Sequence, residues 1–129
     1  MRVLLDTHAF LWAASAPEEL RDEARAAIEN RENEIFVSAA AAWEIVIKVG
    51  LGKLAVPGDP AVWLPARVRS LGFAFLPIEV SHALAVGALP KIHSDPFDRM
   101  MIAQAQSEGL IFATRDPESR KYPVRTLVV

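Results

Sequence analysis

The sequence predicts an α/β fold with a central, mostly parallel sheet and helices on both faces. Two observations carry this. Short, mainly apolar segments recur along the chain: RVLL at 2–5, EIFV at 34–37 and LIFA at 110–113. Strands buried on both faces read in this way, whereas half-exposed antiparallel strands alternate apolar and polar residues. Between these segments lie stretches of helical periodicity, and strands that alternate with helices build a parallel sheet through crossover connections.

Taken in order, RVLL is a strand that stops at Asp6, and the apolar residues 7–14 are helical. In 17–32 (PEELRDEARAAIENRE), Pro-Glu-Glu opens a helix that places Leu20, Ala24, Ala27 and Ile28 on one face. EIFV is the second strand. Ser38 then caps a helix that runs to Val49 and is stopped by Gly50 and Gly52. After the turn-rich VPGDP, residues 61–71 form a helix with Arg67 and Arg69 exposed. FAFLPI at 73–78 is a strand weakened by Pro77, and 81–89 is a short helix. Asp95 caps the next helix, which ends near Gly109; LIFA follows as a strand, TRDPESRKYP as a polar loop, and 124–129 as the last strand. There is no internal repeat, linker or low-complexity tract, so residues 1–129 are expected to form one domain.

With 129 residues, 52% of them hydrophobic, the chain has material for a sizeable core. It contains no cysteine, which excludes a disulfide framework and a thiolate zinc site. Its apolar runs are too short to span a bilayer, and no signal peptide fits because the first apolar stretch is four residues followed by a charge, so the expected setting is a reducing cytoplasm. A net charge of −2 gives no general attraction to nucleic acid. That weighs against a simple DNA- or RNA-binding module. It weighs less against a metal-dependent nuclease, whose clustered acids lower the apparent charge until cations bind.

Four acids are predicted near one edge of the sheet. In a parallel sheet, sites form beyond the carboxyl ends of the strands. Asp6 follows the first strand directly and Asp116 follows LIFA by three residues. Asp98 lies in the first turn of the helix that leads into LIFA, and that helix must start at the same edge. Glu44 lies six residues after Ser38, roughly 9 Å along its helix, yet its side chain can reach the same cleft. Glu44 also interrupts the apolar AAAAWEIVI, so a partner is required, either Lys48 one turn on or a metal ion.

Each acid has a plainer explanation. In HSDPFDRMMIAQA, Asp95 suits a helix N-cap, Pro96 the first helical position, and Asp98 the arm of a capping box that reaches back. Asp116 before Pro117 is a common turn opening. Convergence favours more than these separate roles, because like charges at one edge repel unless cations bind. An oxygen-only set suits Mg²⁺ or Mn²⁺ and does not suit zinc. Two such ions can activate a water and stabilise the departing oxygen in phosphodiester hydrolysis. The three histidines show no ligand spacing: His82 reads as helix surface, while His8 and His93 border the cleft.

LLDTHAFLWA, SAAAAWEIVIKVGLGKL, HSDPFDRMMIAQA and IFATRDPESRKYPV together resemble the PIN-domain ribonucleases, and most of all the toxin subunits of VapBC-type toxin–antitoxin pairs. The resemblance covers nearly the whole chain in the expected order. It implies a PIN-like three-layer fold and an endoribonuclease whose catalytic, metal-holding acids are Asp6, Glu44, Asp98 and Asp116. Asp95 matches an acid of the DPFDR motif, with its role divided between helix cap and outer support of the site. Thr7 and Thr114 match small hydroxyl residues that orient the acids. The resemblance also implies Mg²⁺ or Mn²⁺ dependence, a homodimer and an inhibitory antitoxin. Lys48, Arg99 and Arg115 stand beside the motifs as candidate RNA contacts, with Lys53, Arg120 and Lys121 further out. Two other readings stay open. A haloacid-dehalogenase-type phosphatase also uses an acid after its first strand, but wants a second Asp where His8 stands. A non-catalytic PIN-like binding module has no reason to bear the repulsion of four acids.

Overall fold

The computed structural model describes residues 1–129. Its five strands, β1 (Arg2–Leu5), β2 (Glu34–Ser38), β3 (Ala74–Leu76), β4 (Ile111–Thr114) and β5 (Thr126–Val128), pair in the order β3-β2-β1-β4-β5, and every pairing is parallel. The helices are α1 (Thr7–Ser15), α2 (Asp22–Glu29), α3 (Ala39–Gly50), α4 (Pro60–Ser70), α5 (Val80–Val86) and α6 (Pro96–Glu108). The expected α/β architecture is thus the one observed. The chain builds outward from β1 through β2 to β3, then returns to the other side of β1 for β4 and β5. The strand order therefore reverses between β1 and β4, and in open parallel sheets the crevice at such a reversal is where ligands bind.

The central strand is the most apolar. Val3, Leu4 and Leu5 are fully buried and pair with Ile35, Phe36 and Val37 on one side and Ile111, Phe112 and Ala113 on the other. Phe10, Ile45, Met101 and Ile102 close over the sheet from α1, α3 and α6. At the edge, β3 is only three residues long, and Pro77 ends it where a ladder N–H would be needed. The carbonyl of Pro77 accepts instead from the Gln104 side chain, whose Oε1 takes the Ser38 hydroxyl at 2.6 Å.

The single helix expected over 17–32 is two pieces. Pro17–Glu19 is a 3₁₀ turn, Leu20 is extended (φ −77°, ψ 146°), and α2 begins at Asp22. Leu20 is 5% exposed and fills the same core as Ala24 and Ile28. Burying all three requires a bend, which the periodicity alone does not reveal. At Gly109, φ is +66°, the left-handed conformation that lets α6 stop and the chain turn into β4.

Candidate metal centre

Asp6 leaves β1 at the centre of the sheet, and its backbone N–H donates to Ala113 O of β4 at 3.0 Å. Its side chain is the N-cap of α1, accepting from Ala9 N at 2.7 Å. It is 7% exposed. Burial pushes its carboxyl above the ordinary range; the Thr114 hydroxyl, the Ala9 N–H and the charge of His8 oppose this, and Glu44 reinforces it.

Glu44 is buried on the inner face of α3, where Thr7 Oγ1 donates to Oε1 and Lys48 Nζ donates to Oε2 at 2.6 Å. Lys48 is held above its ordinary range, chiefly by that hydrogen bond, with the charges of Asp95 and Asp98 adding to it. The (i, i+4) pair with Lys48 is therefore formed, and Glu44 faces the other acids as well. Of the two threonines expected to orient acids, Thr7 serves Glu44 rather than its neighbour Asp6. Thr114, fully buried, takes the Asp116 N–H at 3.1 Å, and its hydroxyl lowers the Asp6 carboxyl against the effect of burial.

Asp95 is the N-cap of α6, its Oδ1 accepting from Phe97 N at 2.9 Å and Asp98 N at 3.1 Å. The other arm of the expected capping box is missing, because the Asp98 carboxylate does not return to Asp95 N. The reciprocal box occurs on α5 instead, between Glu79 and His82. Asp98 is thereby free to face the cleft, and its side chain accepts no hydrogen bond. Its carboxyl is pushed up to about 7, first by burial and then by the charges of Asp95, Asp6, Glu44 and Asp116. Acids from four separated segments thus lie within electrostatic reach of one another, while the atoms close enough to share one ion are those of His93, Asp98 and Asp116. Asp116, past β4, is tied into a turn by Glu118 N at 3.0 Å and Ser119 Oγ at 2.9 Å.

His93 stands nearer the centre than its border position in the sequence suggested. Its Nε2 lies 3.5 Å from Asp98 Oδ2 and 3.8 Å from Asp116 Oδ2, and these three residues offer atoms close enough to hold a metal ion. The loop before α6 and the turn after β4 meet only in three dimensions, so spacing gave no signal. His82, expected on a helix surface, is 1% exposed; its Nδ1 accepts from Glu79 N and its Nε2 meets Glu108 Oε1 at 2.8 Å. Those contacts tie α5 to α6, well away from the cleft. His8 is exposed beside Trp12, with ring centroids 5.8 Å apart.

The basic residues read as RNA contacts are already engaged. Lys48 pairs with Glu44. Arg99 donates to Pro90 O, Val86 O and Tyr122 Oη, so it secures the segment between α5 and α6. Arg115 donates to Val129 O at 2.7 Å and to Glu19 O, and its guanidinium lies 4.1 Å over the Trp12 ring. It clamps Val129 to the 3₁₀ turn, and a position beside Asp116 in sequence did not aim the side chain into the cleft.

A cavity of about 420 Å³ lies elsewhere: Leu20, Ile28, Ile35, Arg67 and Phe73 line it where β2 and β3 begin. It holds none of the four acids. The candidate acids stand at the opposite edge of the sheet.

A parallel sheet in the order β3-β2-β1-β4-β5, with acids gathered where the order reverses, defines an α/β domain of the PIN class. The PIN-domain family model matches residues 3–124, and the chain belongs to that family. It is similar to Ribonuclease VapC22 of Mycobacterium tuberculosis (strain ATCC 25618 / H37Rv), at 30% identity over 93% of this chain and 91% of that protein. It is also 44% identical to Ribonuclease VapC16 of the same strain, over 48% of this chain and only 43% of that longer protein. Among solved structures, VapBC2 from Rickettsia felis bound to a promoter DNA fragment has a chain matching at TM-score 0.71 and 15% identity, covering 98% of both chains. DNA-bound VapBC from Salmonella typhimurium matches at 0.68 and 19%, covering 98% of this chain and 97% of that one. At such identities these two structures speak for the fold. No helix is long and apolar enough to cross a membrane.

Proposed function

We propose that this chain is a divalent-metal-dependent endoribonuclease and the toxin of a toxin–antitoxin pair. The observation that carries the reading is Asp98, a carboxylate without a hydrogen bond, set among Asp6, Glu44, Asp95 and Asp116 at the reversal of the sheet. Asp6, Asp95 and Asp116 each also cap a helix or close a turn, and Glu44 has Lys48. Asp98 has no such structural task. Unrelieved repulsion of this kind costs stability unless something cationic binds there.

The donor set fits a hard divalent cation, since carboxylate oxygens suit Mg²⁺ or Mn²⁺. Asp6, Glu44, Asp98 and Asp116 would hold it, and when bound it would activate water and stabilise the departing oxygen of a phosphodiester. The chain's own groups do the positioning. Thr7 fixes Glu44, Thr114 steadies the Asp116 backbone, and Lys48 offsets charge on the inner wall. The Asp98 carboxyl, pushed up to about 7 by burial and its acidic neighbours, would be held as the carboxylate by a cation bound there. Lys48, whose side chain is 37% exposed, keeps enough solvent contact to meet a phosphate at the rim. Arg99 and Arg115 would have to release carbonyls to do the same, so they fit a supporting role better.

The relatives named as ribonucleases support RNA as the substrate, and the VapBC neighbours support a protein antitoxin as partner. Apolar side chains left exposed at Trp43, Val46 and Leu51, and at Val80 and Leu84, support burial against partner chains, an antitoxin and a second copy in a homodimer. The cytoplasm is the compartment where such a nuclease meets its RNA. The test is to mix purified chain with total cellular RNA and map new ends, with and without Mg²⁺, beside folded Asp6→Asn. Metal-dependent ends lost in Asp6→Asn are expected. Equal cleavage by the two proteins would remove Asp6 from the site, and no cleavage by the wild type with Mg²⁺ or with Mn²⁺ in its place would sink the reading.

A further inference from the structure

His93 sits in the loop before α6, and the groups around its two ring nitrogens differ in kind. Nε2 faces Asp98 Oδ2 at 3.5 Å, Asp116 Oδ2 at 3.8 Å and Ser119 Oγ at 3.5 Å. Ser119 donates its own proton to Asp116 Oδ2 at 2.9 Å, so a lone pair is what it turns toward the ring. Every neighbour of Nε2 is thus an acceptor, and a bare Nε2 would add one more lone pair to the group.

On the other side, Nδ1 lies 2.8 Å from Tyr122 Oη. That oxygen already accepts from Arg99 Nη1 at 3.0 Å and from the His93 backbone N–H at 3.2 Å. Neither donor can change role, because a guanidinium keeps its protons and a peptide N–H is fixed. Both phenol lone pairs are engaged, so its hydrogen is what remains to be placed. Nδ1 is the near acceptor, with His93 O farther away at 3.5 Å. A His93 that bound metal through Nε2 would turn Nδ1–H toward Tyr122, putting three donors on two lone pairs.

We infer that His93 is a positioning residue of the carboxylate cleft, held by Arg99 and Tyr122 as the Nε2–H tautomer and therefore not a metal ligand. Its N–H is too far from either acid for a full hydrogen bond. It acts as a dipole shared between Asp98 and Asp116, drawing together two carboxylates that would otherwise repel. Arg99, engaged behind the cleft, acts on the site through this relay rather than by touching RNA. What the donor serves rests on the ribonuclease reading; the tautomer does not.

The test is long-range ¹H–¹⁵N NMR on the full chain labelled at histidine, at neutral pH, without metal and with saturating Mg²⁺. Nε2 should give a protonated-type and Nδ1 an unprotonated-type nitrogen shift in both conditions. An Nδ1–H form, or loss of the Nε2 proton on adding Mg²⁺, would overturn the assignment. Folded Tyr122→Phe should acquire an Nδ1–H population, and an unchanged tautomer there would refute the relay. By calorimetry, His93→Ala, which removes the donor, should weaken Mg²⁺ binding by the roughly 10–100-fold seen for supporting partners, and His93→Gln, which keeps a side-chain N–H, should recover most of it. No loss in His93→Ala, or equal loss in both, would overturn the positioning role. Wild type that binds no Mg²⁺ would defeat the metal reading while the NMR still decides the tautomer.

Discussion

Glu44 and Asp98 line the same cleft, and the more deeply buried of the two is the better compensated. Glu44 is 4% exposed, yet one oxygen takes the Thr7 hydroxyl and the other the Lys48 ammonium. Asp98 is only half-buried, accepts no hydrogen bond, and has a carboxyl pushed up to about 7. Burial alone therefore does not decide how costly a carboxylate is. What decides it is whether donors come with the burial, and on the outer wall the missing donor is left for a ligand to supply.

The largest effect should come from neutralising the uncompensated acid. Asp98→Asn is expected to lower cleavage beyond the roughly 10–100-fold loss typical of supporting residues. It should also raise the melting temperature of the metal-free protein, since a repelling charge is gone. Lys48→Met should do the reverse to stability, stranding Glu44. The loss should be on the order of 1 kcal/mol, because Lys48 is 37% exposed and solvent screens the pair. Thermal melts of both variants check the contrast, and shifts of the same sign would break it.

Next in size is the dependence on pH. The folded state holds the Asp98 proton more tightly than an unfolded chain, whose carboxyl stays near 3.8. Its contribution to stability is full below that value and is lost as pH rises through about 7. Asp6, also raised, acts in the same direction. Metal-free protein should therefore melt progressively lower between acid and neutral pH. Saturating Mg²⁺ should offset the loss by binding only the native state. A melting temperature that rises over this range and is indifferent to Asp98→Asn would contradict the picture.

The smallest effect separates the two acids of HSDPFDR. Asp95→Ala should cost about 0.5–2 kcal/mol for the lost cap, and Asp95→Ser should recover most of it. Cleavage by the Ser variant should stay near wild type. A stable but inactive Asp95→Ser would move Asp95 into the metal shell.

Much of this was legible in one dimension. Strand positions followed from short apolar runs, and helix starts from Ser38 and Asp95, because strand burial and N-capping are set by residues close in sequence. The convergence of Asp6, Glu44, Asp98 and Asp116 followed from a rule of direction: in a parallel sheet, strand ends and the starts of the helices that precede strands share an edge. The break at Leu20 was not legible, since it depends on how far the core reaches. Nor were the directions of Arg99 and Arg115, whose long side chains go to whichever carbonyls the fold brings within reach.

By itself, then, the sequence determined the class of fold and the edge at which its acids gather, since both depend on local periodicity and chain direction. Only the tertiary structure decided how each charge is compensated. Lys48 and Thr7 for Glu44, and the more distant His93 that only partly serves Asp98 and Asp116, are contacts whose strength depends on ångström-scale distance and on the orientation of donors. Among them only Glu44–Lys48, one helical turn apart, has a spacing that sequence can read. The others join segments that meet only when the sheet closes.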